Sequence, residues 1–304
     1  MIDLNVLRDG VRWRPVAAAL LSAALPGLGQ LYNGELNRGL WFFLGFALVG
    51  IPGVVFATLY APSALMAPLA VATAILTLAV WLGAIFDAWR NARDTTQPRR
   101  DWQVSGLYAL LFLAGNASLY LGLAGGMRAH LVQSFVIPQS SMAPGILRGD
   151  YLFVDKRYNC PECKGRVARG DVGVFVYPDD RTLYYIKRVI GLPGDHVVIK
   201  GRELFVNGER LSGEETSEGD RIFVVEQSGG RKWRVEWSKE SSAEADYTVP
   251  PAEIFVLGDN RDASKDSRSF GYVPLADLTG KARQIWFSSG ESGVRWSRIG
   301  RVVE

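Results

Sequence analysis

The chain has 304 residues, of which 48% are hydrophobic, and a formal net charge of +3. This length accommodates one large domain or two smaller ones. The net charge is too small and too dispersed to indicate a nucleic-acid partner. The composition differs between the two parts of the chain. Residues 1–133 contain nine arginines and no lysine, and the first lysine is Lys156.

Three segments, 39–60, 65–88 and 104–124, are apolar and long enough to span a bilayer, which takes about 20 residues. Their aromatic flanks are typical of membrane helices and argue against three buried core helices. A fourth segment, 15–32, is also apolar but contains Pro26, Gly27 and Gly29 near its end. The pattern predicts a helical membrane domain over residues 1–127, in contact with the lipid bilayer.

The arginines predict the orientation of these segments. The link 89–102 carries four arginines and should remain in the cytoplasm. The span at 104–124 then leads outward, so the domain 128–304 should lie outside the cytoplasm. The same rule places both ends of 15–32 in the cytoplasm, which favours a re-entrant or interfacial hairpin, with a full additional span as the alternative.

The stretch LPGLGQLYNGELNRG within the first domain resembles a small glycine-rich membrane hairpin domain that occurs fused to varied membrane proteins. The resemblance covers roughly residues 15–90 and implies no chemistry. Its glycines are better suited to close helix packing than to phosphate binding, since no strand precedes them as in a dinucleotide loop.

From residue 134 onward, short runs alternate between apolar and polar residues and are separated by turn residues. The sequence SGG at 228–230 predicts a hairpin between two of these runs. We therefore expect an all-β domain, folded as a barrel or as packed sheets. The runs are YLFVD, DVGVFVYP, TLYYIKRVIGL, HVVIK, ELFVNG, RIFVVEQ, KWRVEW, EIFVLG and ARQIWFS.

The segment PQSSMAPG at 138–145 offers two adjacent serines as nucleophiles, and the question is which group takes the proton. The histidines, His130 and His196, have no neighbours that prepare them for this role. A lysine base must be buried to lose its charge, because its ordinary pKa lies near 10.4. Lys187 shares a strand face with Tyr185 and Val189. Burial of a neutral amine and snorkelling from an edge strand remain equally compatible with this pattern.

Three stretches occur in order: PQSSMAPGILRGDYLFV, YYIKRVIGLPGD and GDNRDASKDSRSFG. Together, after a membrane anchor, they resemble the type I signal peptidases, which are membrane-anchored serine proteases with a Ser/Lys dyad. The resemblance covers about residues 128–288. It implies a signal-peptidase-like fold, location in a bacterial-type inner (plasma) membrane, exported preproteins as partners, and cleavage after Ala-x-Ala-like sites.

Matched residue by residue, the resemblance implies that Ser141 is the nucleophile and Ser140 only its neighbour. It implies that Lys187 is the general base and that the Ser264 hydroxyl orients the lysine amine. The acidic spacing of this last motif lacks the glycine and terminal glutamate of a calcium loop. We expect neither a metal ion nor a cofactor. Structural support, through an internal ion pair and turn bonds, is assigned to Asp259, Asp266 and Arg268.

One position departs from the family pattern. Where the family usually has a serine or threonine that helps form the oxyanion hole, this chain has Gln139. A glutamine amide can also donate to an oxyanion, and loss of one such donor costs on the order of 100-fold or more in rate. The substrate is expected to bind as an added strand between small side-chain pockets. The matching positions are Phe135, Ile137, Pro138, Tyr185 and Ile186.

The cysteines Cys160 and Cys163 form CPEC, which is half of a zinc site without a second pair. In an oxidising outer compartment we expect a local disulfide between them. The sequence leaves a second function open, a catalytically impaired paralogue that acts as a membrane scaffold or preprotein-binding module. Gln139 motivates that alternative, and the intact serines and lysine count against it.

Overall fold

The computed structural model describes residues 4–61, 63–92, 106–158 and 167–303. The chain divides into two compact units, Met1–Met127 and Arg128–Glu304. The first unit consists of helices, and the second is built almost entirely of β-strands. The predicted fold class, a helical amino-terminal region followed by an all-β domain, is confirmed.

Among its described residues, the helical unit contains two stretches, Leu36–Ala57 and Pro68–Asn91, that are long and apolar enough to cross a membrane. They overlap the first two predicted spans. The third predicted segment forms a helix that extends past its predicted end and leads into the second unit. The helices are α1 (Leu4–Ala24), α2 (Leu28–Asn33), α3 (Leu36–Tyr60), α4 (Ser63–Asn91) and α5 (Gly106–His130).

The segment 15–32 folds back on itself between α1 and α2. At the turn, the indole of Trp81 on α4 donates to the carbonyl of Ala23 (3.1 Å). After the turn, at the end of α2, the amide of Asn33 donates to the carbonyl of Ala88 (2.8 Å). Tyr32 also packs against Ala18 and Ala88. Both ends of the segment therefore lie beside the carboxyl-terminal part of α4.

Close packing and one buried amide hold this hairpin in place. Gln30 is fully buried, and its Nε2 donates to the Ala84 carbonyl (2.7 Å) and to Asp87 (3.1 Å), while its Oε1 accepts from Ser22 (3.0 Å). A Cβ on Gly29 would lie only 2.1 Å from a carbonyl oxygen of α1. Only glycine permits this approach, so Gly29 serves packing, as the sequence indicated.

The β unit contains fifteen described strands and one short helix. The strands are β1 (Val132–Val136), β2 (Asp150–Asp155), β3 (Val172–Val176), β4 (Tyr184–Gly191), β5 (His196–Gly201), β6 (Glu203–Val206), β7 (Glu209–Arg210), β8 (Ser212–Glu218), β9 (Arg221–Ser228), β10 (Arg231–Ser238), β11 (Ala243–Thr248), β12 (Glu253–Leu257), β13 (Val273–Pro274), β14 (Leu278–Gly290) and β15 (Gly293–Val294). The short helix α6 is Ser267–Phe270, and the 3-10 turns are Leu275–Asp277 and Trp296–Arg298.

The strands form three antiparallel sheets. The largest runs in the order β1-β2-β14-β3-β4-β12-β13, with β15 paired to β14. The smaller sheets are β10-β9-β8 and β11-β5-β6-β7. The predicted hairpin at 228–230 is confirmed, since Ser228 pairs with Arg231. Each run named from the sequence corresponds to a strand of these sheets.

Six strands, β1, β7, β8, β11, β13 and β15, were not among the predicted runs. After its first residue, β8 is exposed along its whole length, and its sequence SGEETSE has no apolar alternation. It pairs with β9 by backbone hydrogen bonds at the edge of a sheet whose core residues come from its neighbours. Pairing of this kind leaves no hydrophobic period in the sequence.

Candidate active site

Ser141 lies in the loop that joins β1 to β2. This loop is closed at its base, where Ile137 donates to the Asp150 carbonyl (2.9 Å) and Gly149 donates to the Ile137 carbonyl (2.8 Å). The next residue, Met142, is fully buried in a core cluster with Ile137. The apolar anchor immediately after Ser141 therefore fixes the serine, which is itself only 8% exposed.

Lys187 reaches this serine from β4. Its Nζ lies 2.9 Å from the Oγ of Ser141 and 3.0 Å from the carbonyl of Ile186. The two residues are 46 positions apart in the chain, and the main sheet brings them together. The structure thus places the two groups named as nucleophile and base in direct hydrogen-bond contact.

The environment of Lys187 disfavours its charged form. The residue is 4% exposed, and the Tyr185 ring lies 5.4 Å from the amine. Burial lowers the pKa of Lys187 from 10.5 to about 8, although the charges of Asp266 and Asp259 act in the opposite direction. The structure therefore decides between the two alternatives left by the sequence: the amine is buried and does not snorkel.

Arg188 points to the other side of β4 and forms a buried ion pair. Its Nε and Nη2 donate to the two oxygens of Asp259 (2.8 and 2.7 Å), and its Nη1 donates to the carbonyl of Gly170 (2.7 Å). The backbone of the next residue, Asn260, donates to the Ser141 carbonyl (3.1 Å). Arg188, which the sequence analysis did not name, thus holds the segment that supports the nucleophile loop.

Asp266 and Arg268 form the internal ion pair expected in the third motif, with two contacts of 2.8 Å. Asp266 also accepts from the backbone of Gly258 (3.0 Å). Burial opposes ionisation of Asp266, but the hydrogen bond and charge of Arg268 keep the pKa of this carboxyl below its ordinary value. Asp259, by contrast, pairs with Arg188 on the other side of β4.

Ser264 is packed against the nucleophile loop. A Cβ on Gly258 would lie 2.1 Å from the Ser264 Oγ and 2.6 Å from the Ser141 carbonyl oxygen, so only glycine fits between them. The Ser264 hydroxyl is buried, and its contact with the Asp266 carboxylate helps to lower the pKa of that group. The hydrogen bond from Ser264 to the lysine amine, which the resemblance implied, is not formed in this structure.

A second buried carboxylate supports the loop from the opposite side. Asp150 is fully buried and accepts from Arg298 (2.6 and 3.1 Å), Ser288 (2.6 Å) and the Leu147 backbone (2.8 Å). Burial alone would raise its pKa, but these donors, with Arg298 first among them, lower it. Arg298 also donates to the Gly145 carbonyl (2.9 Å). No local pattern indicates this pair, because its members are 148 residues apart.

The positions expected to bind substrate surround an unpaired stretch of backbone. In the described residues, β1 pairs only with β2, and β12 ends opposite Arg188, so the first half of β4 pairs only with β3. The rings of Phe135 and Tyr184 meet at 5.5 Å between centroids. Ile137 is buried, Phe135, Tyr185 and Ile186 are half-buried, and Pro138 and Gln139 are exposed.

The predicted disulfide lies outside the described residues, since residues 159–166 contain both Cys160 and Cys163. In the part of the chain that is described, His, Cys, Asp and Glu side chains do not form a group of three or more suited to a metal ion.

A serine hydroxyl in contact with a buried lysine amine, on an all-β scaffold, is the arrangement of a nucleophilic hydrolase. Comparison with known proteins defines the family. The family model described as "Signal peptidase, peptidase S26" matches residues 112–287. The chain belongs to this signal peptidase family and is accordingly a serine endopeptidase.

Named relatives agree with this assignment. Signal peptidase I of Pseudomonas aeruginosa is 36% identical over 196 residues, which cover 53% of this chain and 67% of the relative. Signal peptidase I of Rickettsia typhi is 33% identical over 199 residues, covering 54% and 75%. The crystal structure of a signal peptidase I from Enterococcus faecalis V583 aligns with a TM-score of 0.27 at 31% identity, covering 38% of this chain and 96% of that one.

Proposed function

We propose that the protein removes signal peptides from exported preproteins, with Ser141 as nucleophile and Lys187 as general base. The observation that carries this proposal is the 2.9 Å contact between the Ser141 Oγ and an amine that is almost completely buried. The relatives' name, signal peptidase I, supports the substrate class. The local structure supports the roles of the two residues.

The chemistry follows from the lowered pKa of Lys187. At a pKa of about 8, roughly a tenth of the amine is neutral at pH 7. The neutral Nζ takes the proton of Ser141 as Oγ attacks the scissile carbonyl. The resulting ammonium then donates that proton to the departing amine. Water hydrolyses the acyl-enzyme, with the same lysine again acting as base.

The oxyanion of the tetrahedral intermediate requires donors beside Ser141. The backbone N–H of Ser141 has no hydrogen-bond partner among the described residues, which leaves it free for this role. Gln139 is exposed, and its side-chain amide is uncommitted within the described part of the chain, so we propose it as the second donor. Ser264, whose buried hydroxyl contacts the Asp266 carboxylate, is proposed to turn toward the Lys187 amine and orient it during the reaction.

The substrate is proposed to bind as an extended strand against the free edge of β4. Alternate residues within 184–186 offer unpaired backbone groups there. We propose β1 with Pro138 as the opposite wall, because the Phe135 ring of β1 contacts Tyr184. Recognition by added strand gives affinity through the main chain and specificity through alternate side-chain pockets. We propose that the enzyme selects substrates with small residues at the Ala-x-Ala-like positions.

The protein is proposed to be a multi-pass protein of a bacterial-type inner membrane, with domain 1–127 in the bilayer and domain 128–304 outside the cytoplasm. The two apolar helices α3 and α4 support the anchor. The contacts of both ends of 15–32 with one end of α4 support a re-entrant hairpin. Impermeant thiol labelling of single-cysteine variants at Asn91 and Lys200 should give opposite sidedness.

The function is tested with the purified full chain in detergent and a preprotein that carries an Ala-x-Ala site. Ser141→Ala should abolish cleavage, whereas the matched neighbour variant Ser140→Ala should keep substantial activity. Equal loss in both variants would remove the support for Ser141. A wild-type chain that binds the preprotein without cleaving it would establish the alternative, a preprotein-binding paralogue.

A further inference from the structure

Two cavities of about 520 Å³ each lie in the β unit on the far side of the nucleophile loop. They share Lys232 and Val303 in their walls, and together we call them the rear groove. One wall is Pro144–Gly145–Ile146 of the nucleophile loop, another is the start of β10, and a third is the segment 301–303. Each cavity has a size typical of a small-ligand site.

The charges of the rear groove are unbalanced. Among the described residues, its walls carry six basic side chains and two acidic ones, in a chain whose total net charge is +3. The basic ones are Arg188, Arg231, Lys232, Arg234, Lys281 and Arg301, and the acidic ones are Asp171 and Asp259. A concave surface lined by one sign of charge concentrates ions of the opposite sign.

The ion pairs within the rear groove do not remove this excess. Asp259 is committed to Arg188. Asp171 contacts both Arg231 and Lys281, so one carboxylate faces two cations. These two buried carboxylates are therefore fully used, and neither is available to the remaining basic side chains of the walls.

Two cations of the rear groove have no acidic partner at all among the described residues. Lys232 and Arg301 are both exposed, and they stand on separate walls of the same cavity. Arg234, beside Lys232, is held by Glu218 across the β8–β9–β10 sheet. A guanidinium and an ammonium that converge on one cavity match the oxygens of a phosphate group, which accepts forked and single contacts together.

We propose that the rear groove binds a phosphate-bearing anion, held between Lys232 and Arg301. The ligand chemistry is a phosphate group that is either free in solution or part of an anionic lipid headgroup. The binding is independent of the peptide substrate, because the Lys187 amine and the Ser141 hydroxyl are not part of the walls. A failure of this proposal would therefore leave the proposed function unaffected, and a failure of the proposed function would leave this proposal unaffected.

The test is titration calorimetry on the full chain in a non-ionic detergent at near-physiological salt, where exposed charges are screened beyond about 8 Å. The probes are inorganic phosphate and the short-chain lipid dihexanoylphosphatidylglycerol, and the comparison is dihexanoylphosphatidylcholine, which is zwitterionic and has no net charge. The groove variant is Lys232→Gln with Arg301→Gln. The matched control is Lys200→Gln with Lys239→Gln, which removes two exposed cations outside the groove.

We expect saturable binding of at least one anionic probe, weakened by about tenfold or more in the groove variant and by less than about twofold in the control. Displacement of phosphate by phosphatidylglycerol identifies a lipid headgroup as the ligand, and binding of phosphate without displacement identifies a free anion. Absence of saturable binding, or equal weakening in both variants while circular dichroism shows an intact fold, would overturn the proposal.

Discussion

The two faces of strand β4 place neighbouring cations in different environments, one beside a carboxylate and one beside uncharged groups. Lys187 and Arg188 are 4% and 3% exposed, so both are removed from water. Arg188 meets the carboxylate of Asp259 with two hydrogen bonds. Among the described residues, the hydrogen-bond partners of Lys187 are a hydroxyl and a carbonyl. Burial by itself therefore does not determine the role of a cation, and its partners decide whether it stays charged.

The residue types suit these two roles. A guanidinium stays protonated in any protein environment, and its planar fork matches a carboxylate. The pKa of an ammonium falls when it is desolvated without a paired anion, so it releases its proton more readily. On this strand the arginine holds the 258–268 motif in place, and the lowered pKa of the lysine beside it supports its proposed role as a base. Exchanging or removing either side chain tests this contrast.

The largest effect is expected for activity when Lys187 is replaced. Lys187→Met and Lys187→Arg should each lower kcat on the order of 10⁴-fold or more, the scale seen when a serine protease loses a member of its catalytic group. In the wild type, kcat/KM should rise with pH through a midpoint near 8, because the neutral amine is the reactive form. Preprotein cleavage measured across this pH range checks both statements.

The matched control for this pH profile is His196→Ala. His196 is exposed and contacts Asp246 at 2.7 Å, away from the dyad. Its replacement should leave the acid limb unchanged. An acid limb that disappears in this variant, or a Lys187→Met enzyme that still cleaves, would show that another group accepts the proton.

Replacement of Arg188 is expected to have a smaller effect, which is on stability. Arg188→Met leaves the buried Asp259 carboxylate unpaired and should lower the free energy of unfolding by about 3–5 kcal/mol. Arg210→Met, which breaks the exposed pair with Glu203, should cost at most about 1 kcal/mol. Denaturant unfolding of the two variants checks the difference, and equal costs would contradict the importance of the buried pair.

The smallest expected effect is a gain in stability, and it concerns the variant Lys187→Met. The pKa of Lys187 is lower in the folded chain than in the unfolded chain, so its proton opposes folding below pH 8 by about 3 kcal/mol. The Met variant should therefore be more stable than the wild type at pH 7. This gain should shrink as the pH rises from 8 to 10.5. Thermal unfolding of both proteins over that range checks it, and a pH-independent difference would count against a buried charged amine.

Local sequence was sufficient for much of the fold. The alternation in TLYYIKRVIGL and its companion runs predicted strands, because a half-buried strand repeats every two residues. It also predicted that Tyr185 and Lys187 share a face, and the ring and amine do lie 5.4 Å apart. Strand β8 escaped prediction because exposed edge pairing requires only backbone groups. Strand β11 was missed although its residues alternate between half-buried and exposed, so a period in burial was not always recognised from the sequence.

For the site, the sequence alone determined the family, the order of the motifs and the candidate residues Ser141 and Lys187. It left two alternatives for the lysine, and only the tertiary structure decided that the amine is buried against the serine. The supporting ion pairs of Asp259 with Arg188 and of Asp150 with Arg298 also came only from the structure. Desolvation and ion pairing depend on which strands become neighbours, and distances of 71 and 148 residues along the chain leave no local pattern to show it.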